Sequence, residues 1–184
     1  MHLSAEEAVD FAADLAQRRA TALADAGHLD EAIGVYDEEA RGYRARLSGL
    51  VGVPTDPSTA RRQGLHLGKV LMEIGSLHAR MRRAQAALEN TAEALSTVRR
   101  LGPADSPMAG YVLSRVLWGY AWVRVGLGVE LPQALLAVEE AEEILRDLAR
   151  TPPPALAQVI AGDLPVLQSF LAHLRSRAAA ERSF

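Results

Sequence analysis

Proline placement restricts this chain more than any other feature. Pro54 and Pro57, Pro103 and Pro107, and the run Pro152-Pro153-Pro154 sit at three widely spaced places. Proline inside a helix removes a backbone donor and clashes with the preceding turn, so helices must fill the stretches between these marks. Those stretches carry apolar residues at spacings of three and four, the period of an amphipathic helix. No segment alternates apolar and polar residues for more than a few positions, which leaves no strand signal and predicts an all-α fold.

Shorter signals subdivide the stretches into hairpins. Phe11, Leu15, Ala16, Ala20 and Leu23 form one stripe, Gly27-His28 breaks it, and Leu29, Ala32, Ile33, Tyr36 and Ala40 begin another. Ser4 with Glu7 makes a capping box for the first helix. Asp56 or Ser58 can cap a helix bearing Leu67, Val70, Leu71 and Ile74, followed by a partner from about Ala84 to Arg100. Tyr111 through Val129 is the most apolar stretch, and Trp118, Tyr120 and Trp122 in it are expected to be buried; Arg115 and Arg124 argue against a membrane span. Leu131-Pro132 opens the next helix. Past the proline run we expect a short helix, Ala155 to Ile160, and a longer one, Leu164 to Leu174, capped by Asp163 with Pro165 in its first turn, before a fraying end at Arg175 to Phe184. One domain over 1–184 is expected, with hairpins at about 4–50, 57–101 and 106–150 and a C-terminal cap at about 153–177.

Composition removes several classes of function. The 184 residues are 49% hydrophobic and 23% charged, which suits a globular core, and a net charge of -3 provides no field for nucleic acid or an anionic membrane. Cysteine is absent, so thiol chemistry and disulfides are excluded. The first residues have no basic region followed by an apolar core, and the expected location is cytoplasmic.

Aligned on their turns, the hairpins share a pattern. The first has Ala16, Ala20 and Leu23, then Gly27, then Leu29, Ala32 and Tyr36. The second has Leu71, Ile74-Gly75 and His78, then Ala84, Ala87, Thr91 and Ala94. The third has Trp118, Ala121 and Val125, then Leu131, Ala134, Val138 and Ala141. This pattern resembles the tetratricopeptide repeat, whose signature runs W-x2-L-G-x2-Y and then A-x3-F. Ala16 and Arg19 depart from it in the first copy, Thr91 stands for an aromatic in the second, and Trp122 takes the small-residue position in the third. Ala32, Ala87 and Ala134 lie 55 and 47 residues apart, longer than the usual repeat of about 34, so the likeness is to the extended-helix bacterial variety. The resemblance implies a right-handed stack of about three antiparallel helix hairpins, a TPR-like solenoid with C-terminal capping helices.

Chemistry-bearing constellations are scarce. Glu139-Glu140-Ala141-Glu142-Glu143 lacks the Glu-x-x-His pairs of a di-iron bundle, and Glu142 with Arg146 suits a solvated helix pair. Asp37-Glu38-Glu39 reads as an outward charge run. The five histidines have no ligand spacing, though His78 is a candidate to face a groove. No nucleophile elbow or phosphate loop occurs. We therefore expect no metal, no cofactor and no enzyme.

The resemblance further implies a partner-binding groove lined by the first helix of each hairpin. Its residues would be Asp14, Gln17, Thr21 and Asp25 from the first copy, Lys69, Met72, Ser76 and Arg80 from the second, and Arg115, Gly119 and Val123 from the third. Such a groove would run from acidic to basic and apolar and would suit a charged, amphipathic protein or peptide segment. The expected function is a protein-interaction scaffold or adaptor, with self-association into a homo-oligomer as one mode. The alternative is a regulatory sensor for a small molecule or signalling peptide.

Overall fold

The computed structural model describes residues 5–49, 56–101 and 106–181, with side chains from residue 12 onward. Within them lie seven helices: α1 (Ala5–Asp25), α2 (Leu29–Leu47), α3 (Pro57–Arg80), α4 (Ala84–Arg100), α5 (Pro107–Leu127), α6 (Leu131–Arg150) and α7 (Ala157–Glu181). They pack sequentially in antiparallel pairs, each against the next in the chain, and α3 also packs on α5. The capping box at Ser4 lies outside the described residues.

Local chemistry explains the helix starts. The Asp56 carboxylate accepts from the backbone N–H groups of Ser58 and Thr59 at 2.9 and 3.1 Å, with Pro57 in the first turn. Hydrogen bonds from the Ser58 and Thr59 side chains first, and then these backbone bonds, hold the Asp56 carboxyl well below the usual carboxylate range. The Ser106 hydroxyl likewise accepts from the Ala109 N–H, again with a proline in the first turn.

The three hairpin turns are built alike. In each, a residue with positive φ ends the first helix, and the next N–H reaches back five residues: His28 to the Leu23 carbonyl, Arg83 to His78, Val129 to Arg124, all at 2.8–2.9 Å. The positive-φ residues are Gly27, Arg82 and Gly128. This is the Schellman arrangement, which glycine favours for want of a Cβ and which Arg82 adopts without that advantage. Seven residues before each of these come Ala20, Gly75 and Ala121, all buried, and the second helices answer with Ala32, Ala87 and Ala134, all fully buried. Small residues on both sides let the paired backbones approach. A Cβ on Gly75 would lie 2.5 Å from Thr91 Cγ2 and 3.1 Å from the Ala87 carbonyl oxygen, and one on Gly68 would lie 2.3 Å from Val98 Cγ2. The small position of the third hairpin is therefore Ala121, and Trp122 beside it points elsewhere.

Thr91, where an aromatic was the pattern, is fully buried and works through hydrogen bonds instead. Its hydroxyl bonds the Ala87 carbonyl at 2.9 Å and accepts from the Arg124 guanidinium at 3.1 Å. Arg124 is itself buried: it lies 3.3 Å from the centroid of the Tyr120 ring and donates to Glu130 at 2.7 Å. A buried cation is tolerable only when paired and bonded in this way. The network ties α4 to the turn between α5 and α6.

The C-terminal region differs from expectation. One continuous helix runs from Ala157 to Glu181 with Pro165 inside it. Pro165 is exposed, so water can reach the carbonyl that its missing N–H leaves unbonded. Asp163 is not a cap. Its carboxylate accepts from the Tyr111 hydroxyl at 3.0 Å and from Arg115 at 3.3 Å, joining α7 to α5. Ile160, Leu167, Leu171 and Leu174 bury the inner face of α7, and the helix continues past Arg175, where fraying was expected.

Candidate functional site

The helices divide into two layers. Side-chain contacts link α2 to α4 through Arg44–Glu93 and α4 to α6 through Arg99–Glu140. The odd-numbered helices α3, α5 and α7 lie side by side in the other layer, joined by the α3–α5 packing, by Asp163, and by Trp122 against Phe170 with ring centroids 5.4 Å apart. Between these three helices runs a trough of about 670 Å³.

Its floor is a stripe on α5, Tyr111, Arg115, Trp118 and Trp122, at spacings of four, three and four. That periodicity puts all four on one helix face. Lys69, Met72, Glu73 and Ser76 of α3 make one wall, Val166 of α7 contributes to the other, and Met108 lies at one end. Met72 rests directly against Gly119, where a Cβ would come 2.5 Å from its sulfur. Trp122 is 61% exposed, so the expectation that it is buried is corrected; it is a trough residue. Trp118 is half-buried and already carries the Arg115 guanidinium at 5.0 Å from its ring centroid.

Charge inside the trough is unevenly satisfied. Arg115 is engaged by Asp163 and Trp118. Among the described residues Lys69 and Glu73 have no hydrogen bond and no partner within ion-pair distance, although they stand one turn apart. Surrounding protein desolvates the Glu73 carboxyl and raises it above the ordinary value, against the opposing fields of Arg115 and Lys69.

Of the residues expected in a groove, Lys69, Met72, Ser76, Arg115 and Gly119 come together here. The others do not line this trough. Asp14 pairs with Arg18 at 2.8 Å, the Gln17 amide donates to Glu39 at 3.2 Å, the Thr21 hydroxyl meets the Tyr36 hydroxyl at 3.5 Å, and Asp25 is exposed at the end of α1. Arg80 donates to the Ala24 carbonyl at 3.1 Å and so clamps α3 to α1. Val123 is only 1% exposed and belongs to the core. The trough is shorter than the expected groove and of mixed charge. Glu73, Met108, Tyr111, Trp118, Trp122 and Val166 were missed, although the α5 stripe was present in the sequence as a helical period.

Elsewhere the charge runs are structural. Glu139 accepts from Arg175 at 2.9 Å, and Glu140 pairs with Arg99. Glu142 is buried, not solvated: burial raises its carboxyl, but bonds from Arg146 and Gln168 outweigh that and hold it low. His78 faces the start of α4 and α2, among Arg83, Asp37 and Asp30, and its pKa is lowered by burial first and Arg83 second. A second cavity, about 420 Å³ between α1 and α2, is lined in part by Leu15, Arg19, Glu39 and Tyr43. Among the described residues no group of three His, Cys, Asp or Glu side chains could hold a metal ion, and no helix is long and apolar enough to cross a membrane.

The class these observations define is an all-α protein of sequentially packed antiparallel helix pairs with an open trough across its odd-numbered layer. No protein-family model matches the chain, and no curated protein matches it.

Proposed function

We propose that this protein is an interaction scaffold resembling the tetratricopeptide repeats, and that the trough over α3, α5 and α7 receives a segment of a partner protein. The observation that carries this reading is the α5 stripe. From Met108 to Trp122 it extends about 21 Å at 1.5 Å per residue, the length of a helix of about fourteen residues. Its aromatic floor faces outward beside two methionines, which adapt their shape to a guest. The volume also falls in the range of small-molecule sites, which is the ground for a sensor reading; the length and openness of the trough favour a segment of chain.

The test is to select fourteen-residue peptides on the wild-type protein from a displayed library and to measure their affinity for Gly119→Leu and Trp122→Ser. Leucine at position 119 drives Met72 into the trough, and serine at 122 removes the exposed ring, so both variants should weaken the selected peptides tenfold or more, about 1.4 kcal/mol. Selected peptides that bind both variants as well as wild type would place recognition elsewhere and defeat the proposal.

A further inference from the structure

We infer that the segment occupying the trough is an amphipathic α-helix, with apolar residues three and four apart and an acid and a base one turn apart along one edge. This rests on the scaffold reading above and adds the conformation and register of the guest.

The spacing of the floor sets the register. Met108, Tyr111, Arg115, Trp118 and Trp122 alternate steps of three and four, which puts them about 4.5 and about 6 Å apart along α5. On the neighbouring wall Lys69, Met72 and Ser76 repeat the three-four step, and α3 runs parallel to α5 as the first helix of its hairpin. Two parallel helices with such seams leave between them the holes that a third helix fills with side chains three and four apart. An extended chain turns a side chain to one face about every 6.7 Å, so it falls out of step with this floor after two contacts. Backbone polarity points the same way. Among the described residues the trough is walled by helices alone, whose backbone groups bond within themselves, and no strand edge is present. An extended guest would lay unbonded N–H and C=O groups against a largely aromatic floor, whereas a helix bonds its own. Charge marks the edge. Lys69 and Glu73 stand one turn apart on the rim, exposed and unpaired among the described residues, so a helix lying along α3 meets them with an acid and a base four residues apart.

Peptides selected from the displayed library should carry apolar residues three and four apart. A selected set with apolar residues at alternate positions would overturn the helical guest and leave the trough as the site. Designed probes make the comparison quantitative. One fourteen-residue peptide has leucines at three-four-three spacing, a second has the same composition with leucines at alternate positions, and a third is the first with proline at a central solvent-facing position. By fluorescence anisotropy on the full chain, the first should bind at least tenfold more tightly than either of the others. A lactam bridge between two of its solvent-facing residues, one turn apart, should tighten it severalfold by ordering the helix beforehand. Given an acid and a base four residues apart on its edge, it should prefer one order of the two charges, and Lys69→Glu combined with Glu73→Lys should invert that preference. Indifference to the order removes the charged edge from the proposal. Equal binding of all three peptides, weakened in each case by Gly119→Leu and by Trp122→Ser, defeats the helical guest while the trough reading stands. If no selected or designed peptide is weakened by either variant, both readings fall.

Discussion

The two layers of this protein are made from the same kinds of residue, and both carry ion pairs between helices, but they differ in what they leave unpaired. Across the even-numbered helices, Arg44 meets Glu93 and Arg99 meets Glu140, two pairs that each join one hairpin to the next. Across the odd-numbered helices, Lys69 and Glu73 go unpaired and Trp122 stays open. The trough side thus keeps an exposed indole and two unpaired charges beside its Arg115–Asp163 pair. The contrast teaches that in a chain of repeated hairpins the same packing rules can hold both layers together while only one of them is prepared for a guest.

The largest effect should come from prying the layers apart. Gly75→Ala would press a methyl against Thr91, which cannot swing away because Ala87 and Arg124 hold its hydroxyl. We expect a loss of about 2–3 kcal/mol, measured by urea denaturation, with a fall in Tm of roughly 5–10 °C. A variant as stable as wild type would show that α3 and α4 are not closely docked there.

A smaller change should come from Glu39, the exception on α2. Burial raises its carboxyl, against bonds from Gln17 and Tyr43, and one of its oxygens is buried without a partner. Because the folded pKa lies above the unfolded one, the ionised group costs stability at neutral pH, and the cost fades as pH falls through the raised value. Glu39→Gln should therefore raise Tm at pH 7 by roughly 1–3 °C, with the gain gone near pH 4. A gain that persists at pH 4 would mean the effect is not one of charge.

The smallest effects sharpen the comparison most directly. Glu93→Gln breaks a half-exposed pair and should cost under about 1 kcal/mol, less in 1 M salt. Glu73→Gln should leave Tm at neutral pH unchanged or higher, since no partner is lost. Paired melting curves at low and high salt decide this, and a loss on Glu73→Gln that salt abolishes would reveal a pair the trough is not thought to contain.

Much of the fold was legible because it depends on signals local in sequence. The prolines and Gly27 marked hairpin ends, and Ala20, Ala32, Ala87 and Ala134 recurred in the aligned pattern. Arg82 escaped notice as a turn residue, since nothing but the pattern of the neighbouring turns requires an arginine to take positive φ. Pro165 misled for a related reason. Proline ends a helix in isolation, but α7 is held through that point by Ile160, Leu167 and Leu171 against its neighbours. The site was less legible. α5 is apolar on most of its circumference, so period alone could not say whether Trp122 or Val123 faced outward.

What the sequence by itself determined is the all-α character and the antiparallel pairing of neighbouring helices, because helix periodicity and proline sterics act over a few residues. Which face of α5 became a floor, which carboxylates found arginines and which were left unbonded was decided only by tertiary structure. Those outcomes depend on neighbours such as Asp163 and Phe170, some fifty residues away in the chain, and burial and pairing are properties of the assembled layers.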